Sequence, residues 1–254
     1  MNIKKHIPNA ITCGNLFCGC LAIVCAFNGN LVWSAYLVGI AAVLDFFDGF
    51  AARLLKVGGE MGKQLDSLAD MVTFGVVPGV VLFQMILRGL DLSKEGFDLI
   101  ENHPWIIYSA FIISIFSAIR LAKFNIDTRQ TDSFIGVPTP ANTILICSIP
   151  LIVNWDVSFS FVEYNLPLNK FILNPYLLIS LSLLMSYLLI AELPLFALKF
   201  KNFGWADNKI RYSFLIISVI LLIVFQFIAI PFIIFLYIIL SILNTVFNKY
   251  DQYK

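Results

Sequence analysis

The chain alternates long apolar runs with short polar breaks. Each run approaches the roughly 20 residues that an α-helix needs to cross a bilayer. Eight such runs can be marked, at about 9–28, 31–53, 67–88, 104–122, 139–154, 172–191, 212–229 and 231–248. The last two share one stretch, "FLIISVILLIVFQFIAIPFIIFLYIILSIL", which Pro231 divides. In lipid every backbone polar group must be satisfied within the protein, so long apolar runs of this kind become helices. The pattern predicts an all-α polytopic membrane protein.

Composition supports this pattern. Apolar residues make up 59% of the 254 and charged residues only 13%, about half the share usual in a soluble domain. The first apolar run follows "MNIKKH" with no small-residue cleavage site after it, and it is read as a retained first span. The five cysteines lie in apolar segments without a C-x-x-C pair and are expected to be small buried hydrophobes.

Charge then fixes an orientation. With the N-terminus inside, the cytoplasmic segments hold 14 of the 17 Lys and Arg residues. The opposite side holds only Arg88, Lys94 and Lys170. The positive-inside rule places both termini in the cytoplasm of a multi-pass protein of the cell membrane.

One stretch breaks the apolar pattern, "DFFDGFAARLLKVGGEMGKQLDSLAD", residues 45–70. Asp45 and Asp48 are three apart near the cytoplasmic end of the second span. Asp66 and Asp70 are four apart at the start of the third. Spacings of three and four share a helix face. Gly58, Gly59 and Gly62 between them allow a sharp turn, which brings the four carboxylates together at the inner face. Four anions near low dielectric repel one another unless cations neutralise them. Hard divalent cations favour carboxylate oxygens, and four carboxylates suit two cations, an arrangement common in phosphoryl chemistry. Gly49 and Ala52 are small enough to let a bulky group approach the backbone. Ionisable residues in membrane segments are functional by default. A cation transporter is the alternative from another class, but such sites favour the bilayer midplane and repeated halves, and no repeat is visible here.

The full spacing, Asp45-x2-Asp48-Gly49-x2-Ala52-Arg53-x8-Gly62-x3-Asp66-x3-Asp70, resembles the signature of the CDP-alcohol phosphatidyltransferases. The resemblance implies a six-span catalytic core over 1–191. It leaves 192–254 as a basic cytoplasmic loop and two additional helices. It also implies that Asp45, Asp48, Asp66 and Asp70 hold two divalent cations, Mg²⁺ or Mn²⁺, with Asp70 also the general base. Gly49, Ala52, Arg53, Gly62, Asn9 and Thr12 would receive the CDP-lipid. "SLADMVTFGVVP", "RLAKFN" and "FIGVPTPAN" resemble the bacterial branch that uses serine as acceptor. The implied reaction joins CDP-diacylglycerol and L-serine and releases CMP. Glycerol 3-phosphate, inositol phosphate or choline remain alternative acceptors.

A serine acceptor needs its carboxylate recognised. Arg120 can fork onto a carboxylate, Lys123 lies beside it, and Asn125 can add a hydrogen bond. Pro138 and Pro140 predict a rigid turn at a span entrance, and Thr139 between them is left open. Lys199, Lys201, Lys209 and Arg211 make a basic loop suited to anionic lipid rather than nucleic acid. Gly75 and Gly79 form a G-x-x-x-G, a close helix contact or the seam of a homodimer.

Overall fold

The computed structural model describes residues 4, 6–91, 101, 104–127, 133–154, 168–196 and 204–252. Lys5, Lys94, Arg129, Lys199, Lys201 and Lys254, which entered the charge count, lie outside them.

The helices are α1 (His6–Phe27), α2 (Leu31–Leu54), α3 (Glu60–Asp70), α4 (Val77–Asp91), α5 (Trp105–Tyr108) and α6 (Ile112–Ile126), then α7 (Thr139–Val153), α8 (Leu168–Ile172), α9 (Pro175–Ile190), α10 (Trp205–Phe225) and α11 (Ala229–Gln252). Among the described residues, five apolar helical stretches are long enough to cross a membrane, and α7 and α9 are shorter apolar helices. The chain is a polytopic membrane protein of helices. One feature departs from the all-α expectation. Ser133–Ile135 (β1) pairs antiparallel with Pro194–Phe196 (β2), Ser133 opposite Phe196 and Ile135 opposite Pro194. Periodicity could not show these strands, because three residues are too short to carry one.

The surface fits lipid. Phe17, Val24, Trp33, Phe46 and Ile223 are all more than half exposed, which in water would make an adhesive apolar surface. The interior is where polar residues collect. On α1 the buried positions are Pro8, Thr12, Asn15, Gly19, Ala22 and Ala26. Their spacing of four and three draws one stripe of small and polar residues. This first helix is part of the core, since Ala22 and Ala26 are fully enclosed. The cysteines divide differently from expectation. Only Cys147 is buried, and Cys13 and Cys20 are exposed. They sit off the buried stripe of α1, where a small apolar thiol faces lipid at little cost.

Turn chemistry sets the helix ends. Asn30 caps α2 by accepting from the Trp33 amide at 3.3 Å. At its other end, Lys56 N donates to Arg53 O and Val57 N to Ala52 O, at 3.2 and 3.0 Å. This is a Schellman closure with Lys56 at φ +53°, the left-handed position where glycine is usual. The glycines expected to make the turn are therefore used otherwise. Gly59 is extended at the N-cap of α3, and Gly62 lies inside the helix. Helix α3 also begins seven residues before the expected span. Asp66 and Asp70 thus stand about two and three turns in, rather than at its start.

A π-helical turn, Met71–Val76, joins α3 to α4. Turns of this kind are frequent at functional sites. Thr73 Oγ1 donates to the Asn15 carbonyl at 3.2 Å, and Thr143 Oγ1 to the Phe74 carbonyl at 2.8 Å. Inside the turn, a side chain on Gly75 would meet Ser117 of α6 at 3.4 Å, and beyond it one on Gly79 would collide with the Ser114 hydroxyl. The G-x-x-x-G is consumed inside the chain, so it is not available as a seam with a second copy.

At the C-terminal end, α10 and α11 fold back on one another, and Phe214 meets Tyr237 at 5.7 Å between ring centroids. The reversal falls at Gln226, with φ +51°, and Pro231 sits in the first turn of α11. The break thus comes five residues before the proline, which fits its tolerance in a first helical turn.

Candidate active site

The stripe on α1, the last turns of α2 and the body of α3 meet around one cavity of about 520 Å³, within the range of small-molecule sites. Its lining includes Asn9, Thr12, Asp48, Gly49, Ala52, Gly62 and Asp66. Around Gly49 nothing lies within 4 Å of where a side chain would begin, so its missing side chain is open space. Gly62 is different. A Cβ there would sit 3.3 Å from the Asn9 side chain, so this glycine permits α3 to lie against α1.

The acidic residues meet across α2 and α3. One carboxylate oxygen from each of Asp45, Asp48 and Asp66 lies within 4.8 Å of the other two. An ion bound to three oxygens at 2.0–2.6 Å holds them no more than roughly 4–5 Å apart. The hydrogen bonds that reach the carboxylates come from neutral donors. Thr12 Oγ1 donates to Asp48 Oδ2 at 2.6 Å, and Asn15 Nδ2 to Asp70 Oδ1 at 3.3 Å. Asp66 Oδ1 is buried and has no hydrogen-bond partner. A buried, unpartnered carboxylate oxygen beside two more carboxylates is a set of hard donors short of a cation. Asp70 stands outside the trio, its carboxyl within hydrogen-bonding reach of Asp45.

Asn15 was not picked out by spacing arguments, yet it is fully buried and holds Asp70. Its signal was an amide in an apolar span, three residues after Thr12 on the same stripe. Ser67 and Lys63 of α3 also bear on the site, through Asn125 of α6. Asn125 Nδ2 donates to Ser67 Oγ at 2.8 Å, and Lys63 Nζ to the Asn125 carbonyl at 3.1 Å. The Asn125 side-chain amide is therefore engaged with α3. Arg53 is exposed and is not among the residues lining the cavity.

Arg120 is 6% exposed, and its Nε and Nη2 have no hydrogen-bond partner. Its guanidinium lies over the Phe124 ring at 5.1 Å, and it is within electrostatic reach of Asp70. A second, small cavity of about 30 Å³ is lined by Arg120, Lys123, Asp127, Ile135, Leu189, Ile190 and Glu192. Lys123 is exposed at its edge. Pro138 is the N-cap of α7, and Pro140 lies in its first turn, as a rigid entrance requires.

An acidic cluster under a glycine-lined cavity, in a bundle of membrane helices, is a site that could hold a divalent metal beside a phosphate-linked group. The CDP-alcohol phosphatidyltransferase profile matches residues 5–185, and the chain belongs to that family. Relatives named CDP-diacylglycerol–serine O-phosphatidyltransferase are similar to it. The one from Bacillus subtilis (strain 168) is 39% identical over 137 residues, covering 54% of this chain and 70% of that protein. The one from Helicobacter pylori (strain J99) is 36% identical over 160 residues, 62% of this chain and 61% of that protein. A Methanocaldococcus jannaschii relative is 30% identical over 148 residues, 58% of this chain and 62% of that protein. The chain thus spans about two thirds of the length of these relatives.

Proposed function

We propose that this protein transfers the phosphatidyl group of CDP-diacylglycerol to the hydroxyl of L-serine and releases CMP, a step of phospholipid synthesis. The observation that carries the chemistry is the meeting of Asp45, Asp48 and Asp66 at one cavity, with Asp66 Oδ1 lacking a partner. Similarity to serine-using relatives supports the acceptor.

The cytidine and its pyrophosphate enter the cavity over Gly49 and Ala52, with Asn9 and Thr12 on the opposite wall. Arg53 acts from the rim, on phosphate outside the cavity. Asp45, Asp48 and Asp66 would hold one divalent cation, and Asp70 with Asp45 would complete a second. Such ions, Mg²⁺ or Mn²⁺, neutralise charge shared by attacking and leaving oxygens. Asn15 orients Asp70 and leaves its second oxygen for the acceptor. Asp70 takes the proton from the serine hydroxyl, a weak nucleophile until a base accepts that proton. The serine oxygen bonds to the lipid-bearing phosphorus, the bond to CMP breaks, and CMP leaves with the electron pair. Arg120 offers its unpaired donors to the serine carboxylate. Lys123 adds positive charge at the rim, and Asn125 serves by holding α3 in place.

In the same reading the chain crosses the cell membrane eight times, counting α7, α9 and each arm of the α10–α11 hairpin. Both termini and the site face the cytoplasm, supported by the 14-to-3 distribution of basic residues. A homodimer belongs to this reading too, with its seam away from Gly75 and Gly79.

The test is CMP release by the purified protein with CDP-diacylglycerol, Mg²⁺ or Mn²⁺, and each acceptor in turn. Release with serine, and not with glycerol 3-phosphate, inositol phosphate or choline, is expected. Release with glycerol 3-phosphate and not with serine would overturn the acceptor.

A further inference from the structure

The family profile stops at residue 185, so β2, α10 and α11 lie beyond it. We infer that this C-terminal hairpin sets the acceptor side of the site, with Tyr237 as a positioning residue for Arg120. The inference rests on the reading of Arg120 as the acceptor's carboxylate partner.

Tyr237 belongs to α11 and is 8% exposed. Its hydroxyl donates to the Phe196 carbonyl at 2.9 Å, and its ring meets Phe196 edge-on at 5.0 Å. Phe214 of α10 closes the trio, 6.0 Å from Phe196. Tyr237 thereby fastens β2 to the hairpin by one polar and one aromatic contact. β2 in turn pairs with β1, and Ile135 of β1 and Glu192, two residues before β2, both line the small cavity beside Arg120. The next residues are pinned as well. Gly136 N donates to Leu193 O and Val137 N to Leu188 O, at 2.9 and 3.0 Å. Gly136 has φ +76°, a conformation that suits glycine.

Arg120 lies within electrostatic reach of both Asp70 and Tyr237. A buried guanidinium with two unpartnered nitrogens has few restraints of its own. Phe124 supports one face, and Ile135 of the ribbon held by Tyr237 forms part of the wall, beside Leu189 and Ile190 of α9. Loosening that wall lets the guanidinium shift, and a fork-shaped donor loses much when its angle changes. The CDP-lipid cavity contains no residue of β1, β2 or the hairpin. The effect therefore falls on one substrate only.

The experiment compares Tyr237→Phe with the unaltered enzyme in detergent, varying serine and CDP-diacylglycerol separately. Losing one buried hydrogen bond should raise the KM for serine about three- to tenfold. The KM for CDP-diacylglycerol should stay within about twofold. Phe214→Ala, which thins the same support, should move the serine KM in the same direction. Ile223→Ala, on the exposed face of α10, should move neither. A serine KM unchanged in both Tyr237→Phe and Phe214→Ala overturns the inference, as does an equal rise in both KM values. Failure of the acceptor assignment looks different, because the unaltered enzyme then ignores serine. The same comparison on the alcohol it does use still decides the role of Tyr237.

Discussion

The third apolar stretch, Glu60–Leu90, and the last, Asn208–Asn244, both satisfy the length and apolarity of a span, yet they face opposite surroundings. In the first, 61% of the most apolar window is buried in the protein, and in the last only 6%. The third stretch carries Asp66, Asp70, Thr73, Gly75 and Gly79, each used toward a neighbouring helix. The last stretch keeps little for the interior beyond Asn208, Phe214, Ser218, Ala229, Tyr237, Ile238 and Ser241. Apolarity thus marks a span without saying what it faces. Between two lipid-compatible surfaces there is little hydrophobic preference, so packing and polar contacts decide. Small and polar residues mark the protein side.

The comparison is tested hardest at Asp70. Asp70→Asn keeps the shape and removes the base, so turnover should fall about 10²- to 10⁴-fold while the nucleotide still binds. Near-normal CMP release from that variant would place the base elsewhere. Asn15→Ala probes the same stretch one contact removed. Losing the amide that orients Asp70 should lower turnover on the order of 10- to 100-fold, by analogy with groups that orient metal ligands. A rate within twofold of the parent would show that Asp70 needs no such support.

Two glycines separate packing from access. Thr73 occupies the place where a Gly19 side chain would go, so Gly19→Ala should cost about 1–3 kcal/mol, read as a lower unfolding temperature. Gly49→Ala meets only the open cavity, so it should melt like the parent and instead raise the KM for CDP-diacylglycerol. Equal melting of both variants would contradict the packing assigned to Gly19. The smallest effect belongs to the last stretch. Ile223 is 74% exposed, and Ile223→Ala should change stability by no more than about 0.5 kcal/mol. A larger loss would mean that a partner, rather than lipid, covers that face.

Much of the site is legible in the sequence. The four aspartates stood out because charge is costly in an apolar run, and their spacing named two helix faces. The small size of Gly49 and Ala52 pointed to the cavity they line. Other features depend on contacts that a linear pattern does not carry. Arg53 falls in the same motif as Asp48, but five residues along a helix turn it to another face. The left-handed residue after α2 is Lys56 because hydrogen bonds to Ala52 and Arg53 close the helix there, although three glycines follow. The β1–β2 ribbon joins segments some sixty residues apart, and neither is long enough to announce a strand. Asn125 looked like a free polar group until α3 was seen to take its amide.

The π-helical turn has a consequence beyond geometry. Counting by fours from Asp66 and Asp70 would next reach Phe74 and Pro78. The seam with α6 is another face, where Lys63 and Ser67 meet Asn125, and Gly75 and Gly79 lie against Ser117 and Ser114. Within the π-helical turn, Thr73 reaches the carbonyl of Asn15, whose amide holds Asp70. A chain shortened by one residue within 71–74 would rotate α3 against α4 by about 100°. It would forfeit the contact that ties Thr73 to Asn15, and with it the tether on the base.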